Sequence, residues 1–230
     1  MHTEYSQLME YQTAELVPAP SNAPVAGGHW VLSRKMDENG EIAKYKARWV
    51  LKGNTQVKGV NYTDTHASVA HMDSIRTLMA LAATNKWHLQ QFDIGNAFLN
   101  ADVDTLIYTR QVRGFEVQGK EDWVWRLKRA LYGTKQAPRL WKQHFDAKLL
   151  EYGFRKTSAD DCVFVKRQGG DVLIVGCHVD DGLVVGSSLA MFQDLRRQLE
   201  HLFKVKWNTN LSGHALGEAT NYNLIPLHGQ

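Results

Sequence analysis

The feature that most constrains this chain is a pair of apolar runs separated by a very short acidic turn. Residues 172–179 and 183–185 are rich in Val, Leu and Ile, and only Asp180, Asp181 and Gly182 lie between them. An Asp-Gly turn is typical of β-hairpins, and short apolar runs between turns are typical of strands at the centre of a sheet. The sequence therefore predicts a buried antiparallel hairpin with two adjacent carboxylates at its tip.

Helices and short strands alternate along the rest of the chain. Apolar residues at helical spacing predict helices at residues 73–85, 138–152 and 188–203. Alternation and turn signals predict a hairpin at residues 30–52, strands at 87–94 and 124–127, and a tight turn or short helix at 96–100. Because the strands and helices follow no regular βαβ spacing, the pattern favours an α+β domain with an antiparallel sheet.

The two ends of the chain differ from its centre in their sequence pattern. Residues 1–29 contain three prolines and a Gly-Gly pair, which predict an extended lead-in segment without packed elements. Residues 30–217 carry the predicted helices and strands and form the predicted domain. Residues 218–230 have no periodicity and are predicted to be an irregular tail.

The composition excludes several classes of protein. Hydrophobic residues make up 43% of the chain and charged residues 22%, as in globular proteins with a core. No apolar run reaches the roughly 18–20 residues of a membrane helix, and no secretion signal is visible. The two cysteines are too few for a disulfide framework. We therefore expect a cytoplasmic protein with no membrane partner.

A third carboxylate follows another apolar strand. Asp93 lies near the end of the predicted strand 87–94, where a lone Asp most often caps the following turn. If this strand lies beside the acidic hairpin, Asp93 converges with Asp180 and Asp181, and no His or Cys ligand set surrounds them. Oxygen ligands suit Mg²⁺, and two such ions about 3.5–4 Å apart stabilise both oxygens of a phosphoryl transfer. A purely structural turn remains the alternative.

Several segments resemble one protein family when they are read in order. Residues 93–98, DIGNAF, and residues 179–181, VDD, resemble the first and third palm motifs of reverse transcriptases. Residues 131–141, LYGTKQAPRLW, are similar to a hallmark of the copia-type long-terminal-repeat retrotransposon polymerases. Residues 45–53 and 59–65 match the same family in order and spacing. The resemblance therefore extends over nearly the whole chain.

This resemblance implies the fingers and palm of a right-hand polymerase, with an antiparallel palm sheet packed on helices. The thumb and RNase H domains of the family are expected to be absent from this chain. The implied activity is RNA-directed DNA polymerisation, with RNA or DNA template, primer and deoxyribonucleoside triphosphates as partners. The family context is a Pol polyprotein working in cytoplasmic virus-like particles.

The resemblance also implies roles for individual residues. Asp93, Asp180 and Asp181 correspond to the catalytic residues that ligate two Mg²⁺ ions, for which Mn²⁺ can substitute. The implied nucleotide-binding residues are Lys46, Arg48, Phe98, Tyr132, Gly133, Lys135 and Gln136. Among them, Phe98 corresponds to an aromatic gate beneath the sugar of the incoming nucleotide.

The basic residues have a second interpretation. Lys46 and Arg48 share a strand face with Lys44 and Lys52, and such a face is usually a solvated edge. The resemblance implies instead that Lys46 and Arg48 bind the triphosphate. A second basic cluster suits a groove along a nucleic-acid backbone, or is ordinary surface charge. It consists of Arg126, Lys128, Arg129, Lys135, Arg139 and Lys142.

Some positions depart from the family pattern. His178 stands where the family has Tyr, Thr134 replaces a usual Leu, and Ala14 replaces a Trp. None of these changes removes a predicted metal ligand. The alternative function is an inactive, decayed or domesticated nucleic-acid-binding module with the same fold. A third hypothesis, an unrelated two-metal phosphohydrolase, is disfavoured by the segment 131–141. The sequence leaves the template and the oligomeric state open.

Overall fold

The computed structural model describes residues 1–37 and 39–208. The helices in this part of the chain are α1 (His2–Glu10), α2 (Met72–Asn85), α3 (Ala137–Glu151) and α4 (Leu189–Leu202). The strands are β1 (Ala14–Val17), β2 (Val25–Ala26), β3 (Gly28–Met36), β4 (Ile42–Leu51), β5 (His88–Ile94), β6 (Tyr108–Arg110), β7 (Val124–Leu127), β8 (Arg155–Lys156), β9 (Val163–Gln168), β10 (Asp171–His178), β11 (Asp181–Gly186) and β12 (Val205–Asn208). Short 3-10 helices form at Gly53–Thr55 and Ala97–Asn100.

These elements confirm the predicted α+β class, the three predicted helices and the predicted strands. None of the helices within the described ranges is long and apolar enough to cross a membrane. The predicted tail at 218–230 lies outside the described residues. The contacts divide the chain into two compact units. The first comprises Met1–Ala67 and Asn96–Phe145, and the described part of the second comprises Ser68–Gly95 and 146–208.

The second unit is built on a six-stranded antiparallel sheet. Its strand order is β12-β5-β11-β10-β9-β8, which puts the predicted hairpin of β10 and β11 at the centre. Helix α2 packs on this sheet through its predicted stripe, in which Ile75, Leu78 and Ala82 are buried. Gly176 allows this close packing, because a Cβ there would lie 3.0 Å from the side chains of Ile75 and Leu78.

The first unit contains a four-stranded sheet, the separate hairpin of β3 and β4, and helix α1. The sheet order is β1-β7-β6-β2, and its pairs are antiparallel except β2 with β6. An apolar cluster of buried residues forms part of its core. The cluster consists of Leu8, Ala26, Trp49, Leu51, Leu99, Ile107, Val112, Trp125, Leu127 and Leu131.

The prediction that residues 1–29 contain no packed element is wrong. Leu8 on helix α1 is only 1% exposed, and the ring of Tyr5 stacks on Phe115 with 4.3 Å between centroids. Strand β1 then pairs with β7 in the same unit. The three prolines that predicted a loop all lie after β1, so their signal applied only to the second half of the segment.

The hairpin of β3 and β4 confirms the prediction for residues 30–52 but not the predicted apolar face of its second strand. Trp49 and Leu51 are buried, whereas Tyr45 on the same face is 72% exposed. The difference arises because only the base of the hairpin reaches the core of the first unit. Toward its turn the hairpin exposes both faces to solvent.

Candidate active site

Two of the three predicted catalytic acids lie side by side on neighbouring strands. Asp93 of β5 is directly opposite Asp181 of β11 in the antiparallel register. The backbone N–H of Ile94 donates to the carbonyl oxygen of Asp180 at 2.8 Å, so the hairpin tip lies beside the end of β5. Residues directly opposite each other share one face of a sheet, with Cβ atoms about 4.5–5.5 Å apart. The fold therefore brings the three carboxylate residues together at one edge of the hairpin.

The turn that carries Asp180 is tight and strained. His178 pairs with Asp181, which leaves Val179 and Asp180 as the two turn residues. Val179 has a φ of +56°, in the left-handed region that β-branched residues rarely adopt. This backbone conformation costs roughly 1–2 kcal/mol and lies next to a predicted catalytic residue. Strain of this kind is often found at functional sites.

The acidic pair belongs to a row of polar residues that crosses four adjacent strands. In strand order the row consists of His178, Asp181, Asp93 and Lys206. Like charges directly opposite each other in a sheet destabilise it, so the pair of aspartates favours a bound cation. Lys206 supplies one positive charge on the far side of Asp93. Sequence reasoning missed Lys206, because only the pairing of β12 with β5 brings it to the acids.

Packing on the other face of the sheet fixes the register of these strands. Gly182 lies opposite Phe92, and a Cβ on Gly182 would lie 2.0 Å from the phenyl ring. The ring of Trp207 lies on the other side of Phe92, with 5.4 Å between ring centroids. Since a side chain at 182 would push Phe92 away, this glycine keeps Asp181 aligned with Asp93.

Another acidic group in the second unit has a structural role. The ligand atoms of Asp160, Asp161 and Cys162 lie within 4.8 Å of one another. However, the carboxylate of Asp160 accepts the backbone N–H groups of His71 and Cys162, each at 2.9 Å. Burial raises the pKa of Asp160, but hydrogen bonds from Ser74, Cys162 and His71 outweigh it, so the pKa is below its usual value. Asp160 therefore organises the loop before β9 and the start of α2.

Replacing Asp160 by Asn should destabilise the chain in a pH-dependent way. Hydrogen bonds to a charged group contribute about 1.5–3 kcal/mol, so we expect a loss of that order in the free energy of unfolding at pH 7. Because the folded pKa is lowered, this stabilisation is present above the unfolded pKa of about 3.9 and is lost as the pH falls through the folded value. Urea unfolding of both proteins between pH 7 and pH 3 should show the difference shrinking toward low pH. A difference independent of pH would contradict this role.

In the first unit, three of the predicted nucleotide-binding side chains contact one another. The guanidinium carbon of Arg48 lies 4.4 Å from the ring centroid of Tyr132. The rings of Phe98 and Tyr132 are 4.7 Å apart and tilted by 57°. Lys46 lies two residues before Arg48 and therefore on the same face of β4. All four side chains are partly exposed, so they remain accessible to a ligand.

Gly133 is required by a close approach to the backbone of β4, and its implied role in nucleotide binding remains a prediction. Its φ is +89°, and a Cβ would lie 2.0 Å from the carbonyl oxygen of Leu51. The neighbouring carbonyl of Tyr132 accepts the N–H of Leu51 at 2.8 Å. The loop that contains Gly133 is thus packed directly on the backbone of β4.

Lys135 and Gln136 differ in what they offer a ligand. Lys135 is exposed, and its ammonium group lies 4.9 Å from the ring centroid of Tyr62. Gln136 is fully buried, donates to the carbonyl of Asn61 at 2.8 Å and accepts from the side chain of Gln56 at 3.0 Å. The predicted contact between Gln136 and a nucleotide remains a prediction, and this burial argues for a supporting role instead.

Much of the second basic cluster is engaged in ion pairs. Lys128 pairs with Glu15 at 3.0 Å, and Arg126 pairs with the same carboxylate. Two further pairs join Arg129 to Asp102 and Arg139 to Asp104. Since four of the six cations already have acidic partners, the hypothesis of a continuous phosphate-binding groove at this cluster is weakened.

Comparison with known proteins gives matches over most of the chain. Residues 11–221 match the family model described as "Reverse transcriptase (RNA-dependent DNA polymerase)". The chain is 37% identical over 207 residues to the "Retrovirus-related Pol polyprotein from transposon TNT 1-94" of Nicotiana tabacum, covering 90% of this chain and 16% of that protein. It is 32% identical over 212 residues to the "Retrovirus-related Pol polyprotein from transposon RE2" of Arabidopsis thaliana, covering 92% of this chain and 15% of that protein. The chain therefore spans less than a fifth of the length of these relatives.

Proposed function

Since the chain belongs to the reverse transcriptase (RNA-dependent DNA polymerase) family, we propose that it copies RNA into DNA by two-metal nucleotidyl transfer. One observation carries the proposal beyond the family assignment. Asp93 and Asp181 lie directly opposite each other beside Asp180, so that two carboxylates repel each other across neighbouring strands and a bound cation would relieve that repulsion. A purely structural sheet gains nothing from such a pair.

The donor set fits magnesium. Carboxylate oxygens are preferred ligands of Mg²⁺ and Mn²⁺, and we assign Asp93 and Asp180 as the residues that hold two such ions, with Asp181 assisting. When bound, the ions activate the primer 3′-hydroxyl and neutralise the charge of the leaving pyrophosphate. The chain itself contributes a sheet that holds Asp93 and Asp181 on neighbouring strands and a hairpin turn that carries Asp180, and Lys206 limits the charge repulsion around Asp93.

The partly exposed cluster of the first unit suits the incoming nucleotide. Arg48 and Lys46 offer a guanidinium fork and a point charge to the triphosphate of a deoxyribonucleotide. Phe98 and Tyr132 offer aromatic surface to its sugar and base, and the bulk of Phe98 opposes a 2′-hydroxyl. We assign residues 30–217 to the fingers and palm of a right-hand polymerase that binds an RNA or DNA template with a primer.

A non-catalytic nucleic-acid-binding module is the second candidate. The observation that favours it is His178, which lies directly opposite Asp181 where the resemblance leads one to expect Tyr. A module of this kind would hold primer and template without extending the primer.

Primer extension tests the proposed function. The chain is mixed with an RNA template, a DNA primer, the four deoxyribonucleoside triphosphates and Mg²⁺, and the products are resolved on a sequencing gel. We expect extension that EDTA abolishes and added Mg²⁺ or Mn²⁺ restores. A folded chain that shifts the fluorescence anisotropy of the primer–template but never extends it would favour the binding module instead.

A further inference from the structure

Helix α1 places the carboxylate of Glu4 near two predicted nucleotide-binding cations, Lys46 and Arg48. Glu4 Oε1 accepts the backbone N–H of Trp49 at 3.3 Å. Burial raises the pKa of Glu4, while the Trp49 hydrogen bond and the charges of Arg48 and Lys46 act in the opposite sense. Glu4 is therefore close enough to both cations for their electrostatic fields to act on it.

The hydrogen bond from Trp49 lies at the open edge of β4. In the described residues β4 pairs with β3 along one edge, and the other edge has no neighbouring strand. On that open edge, Glu4 accepts the N–H of Trp49 and the carbonyl of Tyr132 accepts the N–H of Leu51. These two contacts restrain the backbone that follows Arg48, whose guanidinium lies over the ring of Tyr132.

Helix α1 is held firmly enough for this role. Leu8 is fully buried in the same apolar cluster as Trp49, and Tyr5 stacks on Phe115. Glu4 lies one residue before Tyr5 and one helical turn before Leu8, so its backbone is fixed by packing on both sides. The carboxylate thus reaches β4 from a packed helix.

We propose that Glu4 is a positioning residue of the nucleotide site. Its carboxylate fixes β4 so that Arg48 stays over Tyr132, and its charge offsets part of the positive charge of Lys46 and Arg48. This inference rests on the proposed function, in which those two cations bind the triphosphate. It adds helix α1, which no sequence motif had linked to the nucleotide, to the site.

Two variants of Glu4 separate the effect of its charge from the effect of its hydrogen bond with Trp49. Glu4→Gln keeps an acceptor for the N–H of Trp49 but removes the charge, so the KM for the deoxyribonucleotide should fall about two- to five-fold with kcat unchanged. Glu4→Ala removes charge and acceptor together, so its KM should be several-fold higher than that of Glu4→Gln. Salt screens charges but not hydrogen bonds. Raising the salt should therefore erase the difference between wild type and Glu4→Gln and leave the difference between the two variants.

The control is Glu10→Gln, which makes the same charge change at the exposed end of the same helix. Its KM should equal that of wild type. If wild type extends primers and all four proteins have the same KM and the same salt dependence, the role of Glu4 is refuted and the proposed function stands. If wild type neither binds deoxyribonucleotide nor extends primers, the proposed function fails, and the role of Glu4 fails with it.

Discussion

Replacing Asp93 by Asn should stop primer extension without destabilising the metal-free chain. Loss of a metal-ligating charge should lower the extension rate by more than about 100-fold, since even residues that only support metal ligands cost 10–100-fold when removed. The fold should tolerate the change because Asp93 lies between Asp181, which repels it, and Lys206, which attracts it. Each such cross-strand effect is about 0.2–1 kcal/mol, so the two should largely cancel in the free energy of unfolding.

A second variant, Asp181→Asn, tests whether Asp181 and Asp93 repel each other across the two strands. Asp181 faces Asp93 on one side and His178 on the other, so its neutralisation removes the cross-strand repulsion between the two carboxylates. We expect the free energy of unfolding in EDTA to rise by about 0.2–1 kcal/mol. Asp122→Asn, an exposed site in the other unit, controls for net charge. Undiminished extension by Asp93→Asn, or a large loss of its stability, would contradict the assigned role.

The centre of the second unit could be predicted because its signals are local. Apolar runs flanking Asp180, Asp181 and Gly182 predict a central hairpin from neighbouring residues alone, and the structure confirms the hairpin. The predicted Asp-Gly turn is wrong, because the turn residues are Val179 and Asp180 and the pair Asp181-Gly182 lies on β11. The position of Asp93 beside Asp181 needed a pairing between strands that are 88 positions apart in the chain. Local pattern gives no register over such a distance. From the residues alone, the convergence of the acids was predicted only on the condition that the strand with Asp93 lies beside the hairpin. The family resemblance implied the convergence separately.

Helix α1 was missed because its own pattern is weak. Leu8 is its only buried residue, and the rest of the helix is largely polar. Its stability therefore depends on packing against Phe115 and Trp49, which are distant in sequence. Glu4 escaped notice for the same reason. A carboxylate at the second or third position of a helix ordinarily indicates only a favourable interaction with the helix dipole.

Gln136 has internal hydrogen-bond partners that its sequence motif does not reveal. The family resemblance implies contact with a nucleotide, which remains a prediction, and in the structure the side chain is buried and hydrogen-bonded to Gln56 and Asn61. Those partners come from a loop about 75–80 positions away. Sequence alone does not distinguish a polar side chain that meets a ligand from one that satisfies buried groups, because both need the same hydrogen-bonding atoms.

Gly133→Ala should cause the largest loss of stability among the substitutions considered. For an Ala residue, a backbone φ of +89° costs about 1–2 kcal/mol of free energy. In addition, its Cβ would lie 2.0 Å from the carbonyl oxygen of Leu51 and 2.7 Å from Cγ1 of Val50. Overpacking of this kind typically adds about 1–3 kcal/mol, so we expect a total loss of roughly 2–5 kcal/mol in the free energy of unfolding.

Gly114→Ala is the matched control for this prediction. Gly114 lies in the same unit with a φ of +87°, but no heavy atom lies within 4 Å of the position that its Cβ would take. The Gly114→Ala variant should therefore lose only the conformational contribution of about 1–2 kcal/mol to the free energy of unfolding. Urea denaturation of both variants isolates the overlap with β4 as the difference between them. Equal losses would mean that the loop moves away from Leu51 at little cost. In that case Gly133 would not fix the position of Tyr132 beneath Arg48.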